Sequence, residues 1–347
     1  MIFGERRNMP KVSVICDNYN YSDYLHDAIK SVLSQSFTDF ELIVVDDGST
    51  DSSRELISSF NDSRIIKVFK ENGGQTSAFN AGFEVACGDI ITFLDSDDYW
   101  YPNKLDRVVE AHKSSKIIQH LLSENGKKTY RRVRTDVDWS NVLVNFGYMY
   151  QHSPTSGLSF MREVIEPFFP LVDVEEMRGY SDGCILMLAM TKAKVLCLDD
   201  VLGFYRIHDR NLNADRTDSG TALLYVATRQ RDYVNKQLLR CRLLKIPDDH
   251  GQYISHLLSL VDFGNKPVAI YGNGNSGKRV STALRHSGNE VWGFANSKGV
   301  DAVSPVKLFK HRKEFGKIVI ASSAQDEIID ILQSLNFDNR SIVSLAI

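Results

Sequence analysis

Apolar positions along the first hundred residues alternate between two periods. Val12-Ser13-Val14-Ile15-Cys16 is a short apolar run, and Tyr21 to Gln35 then sets Leu25, Ile29, Val32 and Leu33 at helical spacing. Glu41-Leu42-Ile43-Val44-Val45 is a second, β-branched run. It stops at Asp46-Asp47-Gly48-Ser49, where Thr50 or Asp51 can cap a helix through Leu56 and Ile57. A third strand over Ile65 to Phe69, a helix over Thr76 to Ala86 and a fourth strand over Ile90 to Leu94 complete the series. This alternation predicts a mostly parallel sheet with helices on both faces. Such sheets take ligands outside the carboxyl ends of their strands. Polar residues crowd there: Asp17, Asn18, Tyr19 and Asn20, then Asp46 and Asp47, then Asn72, Gly73, Gly74 and Gln75, then Asp95, Ser96, Asp97 and Asp98.

The pattern weakens from Lys113 to Pro170, where Glu124 to Arg134 is polar and basic and Asp136 to Tyr150 reads as a helix. Gly179 to Met190 predicts a helix opening near Ser181-Asp182, Val195 to Tyr205 holds strand-like pieces, and Ala222 to Leu260, rich in Leu and Arg, reads as helical and would serve as a long connector. A second α/β unit starts with the strand Pro267 to Tyr271, followed by Gly272-Asn273-Gly274-Asn275-Ser276-Gly277 and a helix to His286. Strands over Val291 to Phe294 and Ile318 to Ala321 and a helix over Gln325 to Leu335 follow. The organisation expected is an α/β domain over 1–220, a helical connector over 221–264 and a small Rossmann-like domain over 265–347. A chain of 347 residues exceeds one ordinary core, which agrees with two domains.

Composition narrows the function classes. Hydrophobic residues at 43% and charged residues at 24% mark a globular chain, and a net charge of −3 offers no basic face for nucleic acid. Five cysteines (Cys16, Cys87, Cys184, Cys197 and Cys241) are odd in number and never in CxxC spacing. They read as small reduced core residues of a cytoplasmic protein, not as a disulfide framework or zinc site. Met1 to Pro10 lacks the apolar stretch of a secretory signal, and no run approaches the roughly 20 apolar residues of a membrane span. A cytoplasmic location is expected, with peripheral work at a membrane face left open.

Three constellations carry candidate chemistry. Asp95-x-Asp97 at a strand's carboxyl end reads either as a solvated acidic turn or as a hard-cation site, since Mg²⁺ prefers one or two carboxylates plus substrate phosphates. Its place after an apolar run favours the cation. Asp46-Asp47-Gly48-Ser49-Thr50 reads either as a capping turn or as a site where Asp47 accepts from a ribose hydroxyl or a uracil N–H. Gly272-x-Gly274-x-x-Gly277, between strand and helix, is either a phosphate cradle or a packing device. A dinucleotide site would place an acid at the end of the next strand, where this chain has Asn296, so no redox chemistry is expected.

The ordered set resembles the family 2 glycosyltransferases of GT-A fold. It comprises Val12-Ser13-Val14-Ile15 with Tyr19-Asn20, then Ser31-Val32-Leu33-Ser34-Gln35-Ser36, then Asp39 to Asp51, then Asn72-Gly73-Gly74 and Asn80-Ala81-Gly82, and finally Gly88 to Asp98. The resemblance is strong through about Asp106 and fainter to Asn211. It implies an enzyme of hexosyltransferase type that transfers a sugar from a nucleotide donor, a UDP-sugar first of all, with inversion and with Mg²⁺ or Mn²⁺. The acceptor would be a glycan or a lipid-linked saccharide, and self-association is compatible with it. Asp17, Tyr19 and Asp47 would line the nucleoside site, with Asn20, Asp46 and Gln75 adjoining. Asp95 would face the ribose or sugar, Asp97 would bind metal, and Asp98 would support it. Tyr205-Arg206-Ile207-His208 with Asn211 resembles the family's Tyr-Arg-x-His segment, making Arg206 a phosphate partner and His208 a third metal ligand, a diphosphate contact or a structural histidine. Inversion requires a general base, and the segment Gly179-Tyr180-Ser181-Asp182-Gly183 nominates Asp182, with Glu175 and Glu176 as alternates.

Two departures fall at the donor pocket. Asp17-Asn18-Tyr19-Asn20 stands where relatives read Pro-Thr-Tyr-Asn. Ala78-Phe79-Asn80 stands where they read Ala-Arg-Asn, leaving Lys70 or Arg206 to compensate for the arginine. Two rivals remain. A nucleotidyltransferase would need a glycine-rich basic loop after the first strand, and a sugar-nucleotide sensor or scaffold would bind without transfer.

Overall fold

The computed structural model describes residues 10–124, 138–147, 152–172, 181–211, 220–247, 254–255, 258–259, 261–299, 301–321 and 325–344. The first compact unit is built on one eight-stranded sheet. Its elements in chain order begin β1 (Val12–Asn18), α1 (Ser22–Leu33), β2 (Phe40–Asp47), α2 (Ser53–Ser59), β3 (Ile65–Lys70), α3 (Gln75–Val85) and β4 (Ile90–Asp95). They continue with β5 (Tyr99–Trp100), α4 (Lys104–Ala111), β6 (Ile117–Glu124), α5 (Trp139–Phe146), β7 (Leu158–Met161), α6 (Arg162–Ile165), α7 (Ser181–Met190) and β8 (Val195–Tyr205), and helix α8 (Gly220–Arg240) joins this unit from Arg229 on. The strand order is β3-β2-β1-β4-β7-β6-β8-β5.

The βαβ half is parallel throughout, as its alternation predicts. β1 and β2 are buried almost end to end, which is why they read as unbroken apolar runs rather than as alternating ones. Helix α1 lays Leu25, Ala28, Ile29 and Val32 against them, and these four are fully buried. Each such branched aliphatic side chain removed from water stabilises the fold by roughly 1.5–3 kcal/mol. Beyond β4 the sheet becomes mixed. β7 runs antiparallel to both β4 and β6, and the two-residue β5 runs antiparallel to β8. These short strands lie where the hydrophobic pattern is weakest. The strand-like pieces from Val195 form one strand, whose register against β6 shifts twice.

The helical stretch expected over Ala222 to Leu260 breaks after Arg240, and described residues 254–255 and 258–259 are helical again. The chain turns at Arg242, a non-glycine residue with φ +58°. Residues 229–246 belong with the first unit. The second unit holds β9 (Val268–Tyr271), α9 (Asn275–His286), β10 (Val291–Ala295), α10 (Pro305–Lys310), β11 (Lys317–Ile320), α11 (Gln325–Ser334) and β12 (Ile342–Ser344). Its sheet is parallel in the order β10-β9-β11-β12, around a core of Tyr271, Leu308, Phe315, Ile318, Ile320 and Leu332. All five cysteines are free thiols. Among the described residues no helix is long and apolar enough to cross a membrane.

Candidate active site

The chain winds outward from β1 through β2 to β3, and β4 then lies on the opposite side of β1. That reversal opens a crevice at the carboxyl ends of β1 and β4, where ligands of doubly wound sheets sit. The register sets Asp17 beside Asp95 across it. A turn closed by the Asp98 amide on the Asp95 carbonyl (3.0 Å) follows β4. It gathers carboxylate oxygens of Asp95, Asp97 and Asp98 within 4.8 Å of one another.

Four acids in so small a volume perturb one another. Burial raises Asp17 to about 7, with the Asp97 charge adding to the rise and hydrogen bonds from its own backbone and from Gln75 opposing it. Burial holds Asp95 well above the usual carboxylate range, reinforced by Asp17, Asp98, Asp97 and Asp182. Asp98 is likewise raised by burial and by Asp97. Asp97 is raised by burial against the pull of His208. The buried Oδ1 of Asp17 accepts no hydrogen bond among the described residues. A buried acceptor without a donor costs free energy comparable to a lost hydrogen bond. Oxygen donors of this density are the set a hard divalent cation takes, and the orphan oxygen supplies a further acceptor, so the residues fit such an ion.

A ring of neighbours fixes the acids. The Ser156 hydroxyl donates to Asp98 Oδ2 (2.6 Å) and accepts the Asp95 amide (3.1 Å), while Trp100 Nε1 holds the Ser156 carbonyl (2.8 Å). Gln75, the first residue of α3, donates to Asp95 Oδ1 (3.2 Å). Asp97 Oδ2 meets His208 Nε2 (3.0 Å) and accepts from Asn211 Nδ2 (3.2 Å). His208 Nδ1 accepts the Arg210 amide (3.2 Å), which assigns the ring proton to Nε2 and makes it a donor to Asp97. The imidazole stacks on Tyr24 (4.7 Å between centroids), with Tyr21 edge-on at 5.4 Å. His208 therefore orients Asp97, and ligation through Nε2 would first require loss of that proton.

Arg206 donates its Nε to the Asp97 carbonyl (2.9 Å), pairs with Asp27 (3.2 Å) and gives its amide to Asp98 Oδ1 (3.0 Å). Its guanidinium lies over Tyr24 at 4.8 Å. Tyr21, Tyr24 and Arg210 were not visible as site residues from sequence. The three-residue spacing of the two tyrosines at the start of α1, which puts both on one helix face, was the available signal.

The end of β2 is spent on loops. Asp46 is fully buried and accepts from Arg54 Nε (2.7 Å), the Ser49 amide (3.1 Å) and Asn18 Nδ2 (3.2 Å). Asp47 accepts the Gly74 amide (2.7 Å), the Gly73 amide (3.0 Å), Asn72 Nδ2 (3.2 Å) and Lys70 Nζ (2.5 Å). It thereby shapes the loop that delivers Gln75. Lys70, expected to replace the missing arginine, is thus engaged by Asp47. Gly48 is required between these turns: its φ is +78° and a Cβ there would lie 2.5 Å from the Asn72 nitrogen. Asn20, at φ +59°, accepts the Thr50 amide (2.7 Å) and gives its own amide to Ser49 (3.0 Å), clamping the first two loops together. Tyr19 stands beside it, 47% exposed.

Asp182 opens α7, where the helix dipole favours a carboxylate, and its charge is one of those that raise Asp95. The Ser181 hydroxyl bonds Thr76 in the first turn of α3 (2.6 Å), so the starts of α3 and α7 are joined. Glu175 and Glu176 lie outside the described residues.

The glycines of the second unit divide by role. A Cβ on Gly272, whose φ is +118°, would lie 2.5 Å from the Ala321 carbonyl oxygen, and one on Gly277 would lie 1.9 Å from that of Gly272. Both permit close packing of α9 on the sheet. Gly274, the N-cap of α9, has nothing within 4 Å of a Cβ. Asn296, at the position of the expected acid, donates to Asn273 (3.0 Å).

A mixed sheet with an acid-lined switch point, and a smaller sheet domain after it, defines a GT-A glycosyltransferase fold with a C-terminal α/β domain. The glycosyl transferase family 2 model matches residues 13–164. The chain is 31% identical over 213 residues to the UDP-Glc:α-D-GlcNAc-diphosphoundecaprenol β-1,3-glucosyltransferase WfaP of Escherichia coli, covering 60% of this chain and 82% of that protein. It belongs to glycosyl transferase family 2. An uncharacterized glycosyltransferase of Nostoc sp. is 41% identical over 213 residues, 58% of this chain, and the chain spans 66% of that relative's length. The S. aureus TarS 1-349 structure in complex with UDP-GlcNAc superposes with a TM-score of 0.54 at 19% identity, over 94% of this chain and 90% of that one.

Proposed function

We propose that this chain is an inverting, metal-dependent glycosyltransferase that moves a hexosyl group from a UDP-sugar to a hydroxyl of a glycan or lipid-linked saccharide. The observation that carries the reading is the orphan Asp17 oxygen beside mutually raised Asp95, Asp97 and Asp98 at the switch point. Buried acids of this kind destabilise the free protein and are relieved by a bound cation and donor. The name of the E. coli relative supports the UDP-sugar and an acceptor built on a lipid diphosphate.

Asp97 and Asp95, with His208 beside them, would hold Mg²⁺ or Mn²⁺. When bound, the ion neutralises charge developing on the departing diphosphate. The chain's own residues do the rest. Tyr19 offers a ring face to the base, and Asp17 Oδ1 accepts from the nucleoside. Arg206 holds the turn between Asp97 and Asp98 in place. Asp182 takes the proton of the attacking acceptor hydroxyl. Attack from the face opposite the leaving diphosphate inverts the anomeric centre.

A thermal-shift screen of UDP, GDP, CDP and TDP, each with and without Mn²⁺, tests this reading. UDP with Mn²⁺ should raise the melting temperature more than the sum of either alone, and Asp97→Ala should lose that synergy and all transfer. No gain with any nucleoside diphosphate, or an Asp97→Ala enzyme that turns over normally in EDTA, would overturn it.

A further inference from the structure

The end of α8 and the loop after it are basic. From Tyr233 to Pro247 there are four cations, Lys236, Arg240, Arg242 and Lys245, and no Asp or Glu, in a protein of net charge −3. All four are exposed. Between them Leu239 is 54% exposed and Leu244 is 92% exposed.

The exposure is built, not frayed. The chain reverses at Arg242, and the Leu243 amide bonds the Leu238 carbonyl (2.8 Å). Asn235 then takes both backbone groups of the buried Ile246, accepting its N–H (2.8 Å) and donating to its carbonyl (3.2 Å). This closure pins a short loop with Leu244 in its span. Arg240 anchors the other side on the Phe168 carbonyl (2.8 Å). Among the described residues Asp232 pairs with Arg231 (3.2 Å) and Glu166 faces Arg162 (3.9 Å); Asp248 and Asp249, which follow Pro247, lie outside them. Val172, 42% exposed, extends the apolar surface beside Tyr233, whose hydroxyl bonds its carbonyl (2.7 Å).

We propose that this tip docks the protein on an anionic lipid surface, with Leu239 and Leu244 entering the acyl boundary and Lys236, Arg240, Arg242 and Lys245 meeting the headgroups. An exposed leucine at the end of α8 and another on the tied loop after it, interleaved in sequence with exposed cations, match a bilayer interface. Their side chains insert while the aliphatic stems of Lys and Arg reach back to the phosphates. Positive charge on an otherwise acidic chain supplies the complementarity. The same segment reaches the site. Gln230 packs against Gly183, the neighbour of Asp182, and nine helical residues separate it from Leu239, roughly 14 Å. Docking would bring Asp182 close to headgroup level, which suits an acceptor carried in lipid, a point that rests on the transfer reading.

Co-sedimentation with vesicles of equal parts phosphatidylglycerol and phosphatidylcholine, against pure phosphatidylcholine, tests the docking without any donor or turnover. The wild type should pellet with the anionic vesicles and be released by salt. Leu244→Ser should weaken binding roughly tenfold or more, and Lys236→Glu with Lys245→Glu roughly thirtyfold or more. Melting temperature and hydrolysis of a soluble donor should stay unchanged in both variants. Failure of the wild type to bind anionic vesicles, or equal binding to both compositions, would overturn the proposal. So would an effect of Leu244→Ser on self-association with vesicle binding intact, since the tip would then be a contact between protein chains. Loss of transfer with vesicle binding retained would count against the reading of the site and leave the docking standing.

Discussion

At the switch point of the first sheet Asp17 pairs in register with Asp95, whereas at that of the second Tyr271 pairs with Ile320 and the chain leaves through Gly272. Both sheets are wound by the same rule, so topology puts a crevice at each. The first rim carries four acids that burial raises, Asp17, Asp95 and Asp98 further raised by neighbouring charge, and an oxygen with no donor among the described residues. At the second, Asn296 donates to Asn273 (3.0 Å) and accepts the Gly299 amide (2.5 Å), Tyr271 bonds Ser297 (3.1 Å), and Gly272 and Gly277 allow close packing. Winding sets a crevice at each sheet, and at the first the buried acids add a cost to stability that a ligand would restore.

The comparison can be pressed in four ways. Asp182→Asn should reduce transfer by about a hundredfold or more, the usual scale of general-base catalysis, with UDP binding retained. Transfer at the wild-type rate would remove Asp182 from the base role. Ser156→Ala strips the hydroxyl that joins Asp98 to the Asp95 amide. It should weaken Mn²⁺ binding by roughly 10- to 100-fold, the cost of losing an outer-shell partner, and calorimetric titration reads it directly. In the second unit Gly277→Ala should destabilise the fold by roughly 1–3 kcal/mol through overpacking, while Gly274→Ala, with open space around it, costs far less. Melting curves would decide between them, and an equal loss in both would contradict the division of glycine roles.

The smallest effect concerns pH. Asp17 is raised from the ordinary carboxylate value to about 7, so between those two values the folded state holds the proton more tightly than the unfolded one. Stability contributed by the protonated form is then lost as pH rises through that window. Without divalent cation the melting temperature should fall modestly from about pH 5 to pH 8, and Mn²⁺ should recover most of the loss at the alkaline end. A melting temperature that climbs over the same range in chelator would show that these acids are not buried as described.

Much of the first unit was legible because its signals are local. Val12 to Leu94 alternates strand and helix with turn residues at each junction, and β1 to β4 with α1 to α3 follow that order. The antiparallel insertion of β7 was not legible. Leu158–Met161 is four residues long and follows a weakly patterned stretch, so only its pairing with β4 and β6 identifies it. Within the site, the end-of-strand acids were visible as a class, but their division of labour was not. Asp46 and Asp47 look alike in sequence. One is spent on Arg54 and the other on the loop before α3, because Lys70 and the amides of Gly73 and Gly74 reach it from another strand's end. Ser156 carried no signal, since nothing near it in sequence marks the turn it supports 58 residues away.

The sequence by itself determined that two α/β units follow one another and that acids crowd the strand ends of the first, because periodicity and turn chemistry act over a few neighbouring residues. The tertiary structure alone decided which acids converge and which are consumed by loops. His208 reaches Asp97 across 111 positions, and Asp17 meets Asp95 through the register of two strands. Such contacts are set by packing and by the reversal of winding about β1, neither of which is written in any local stretch of the chain.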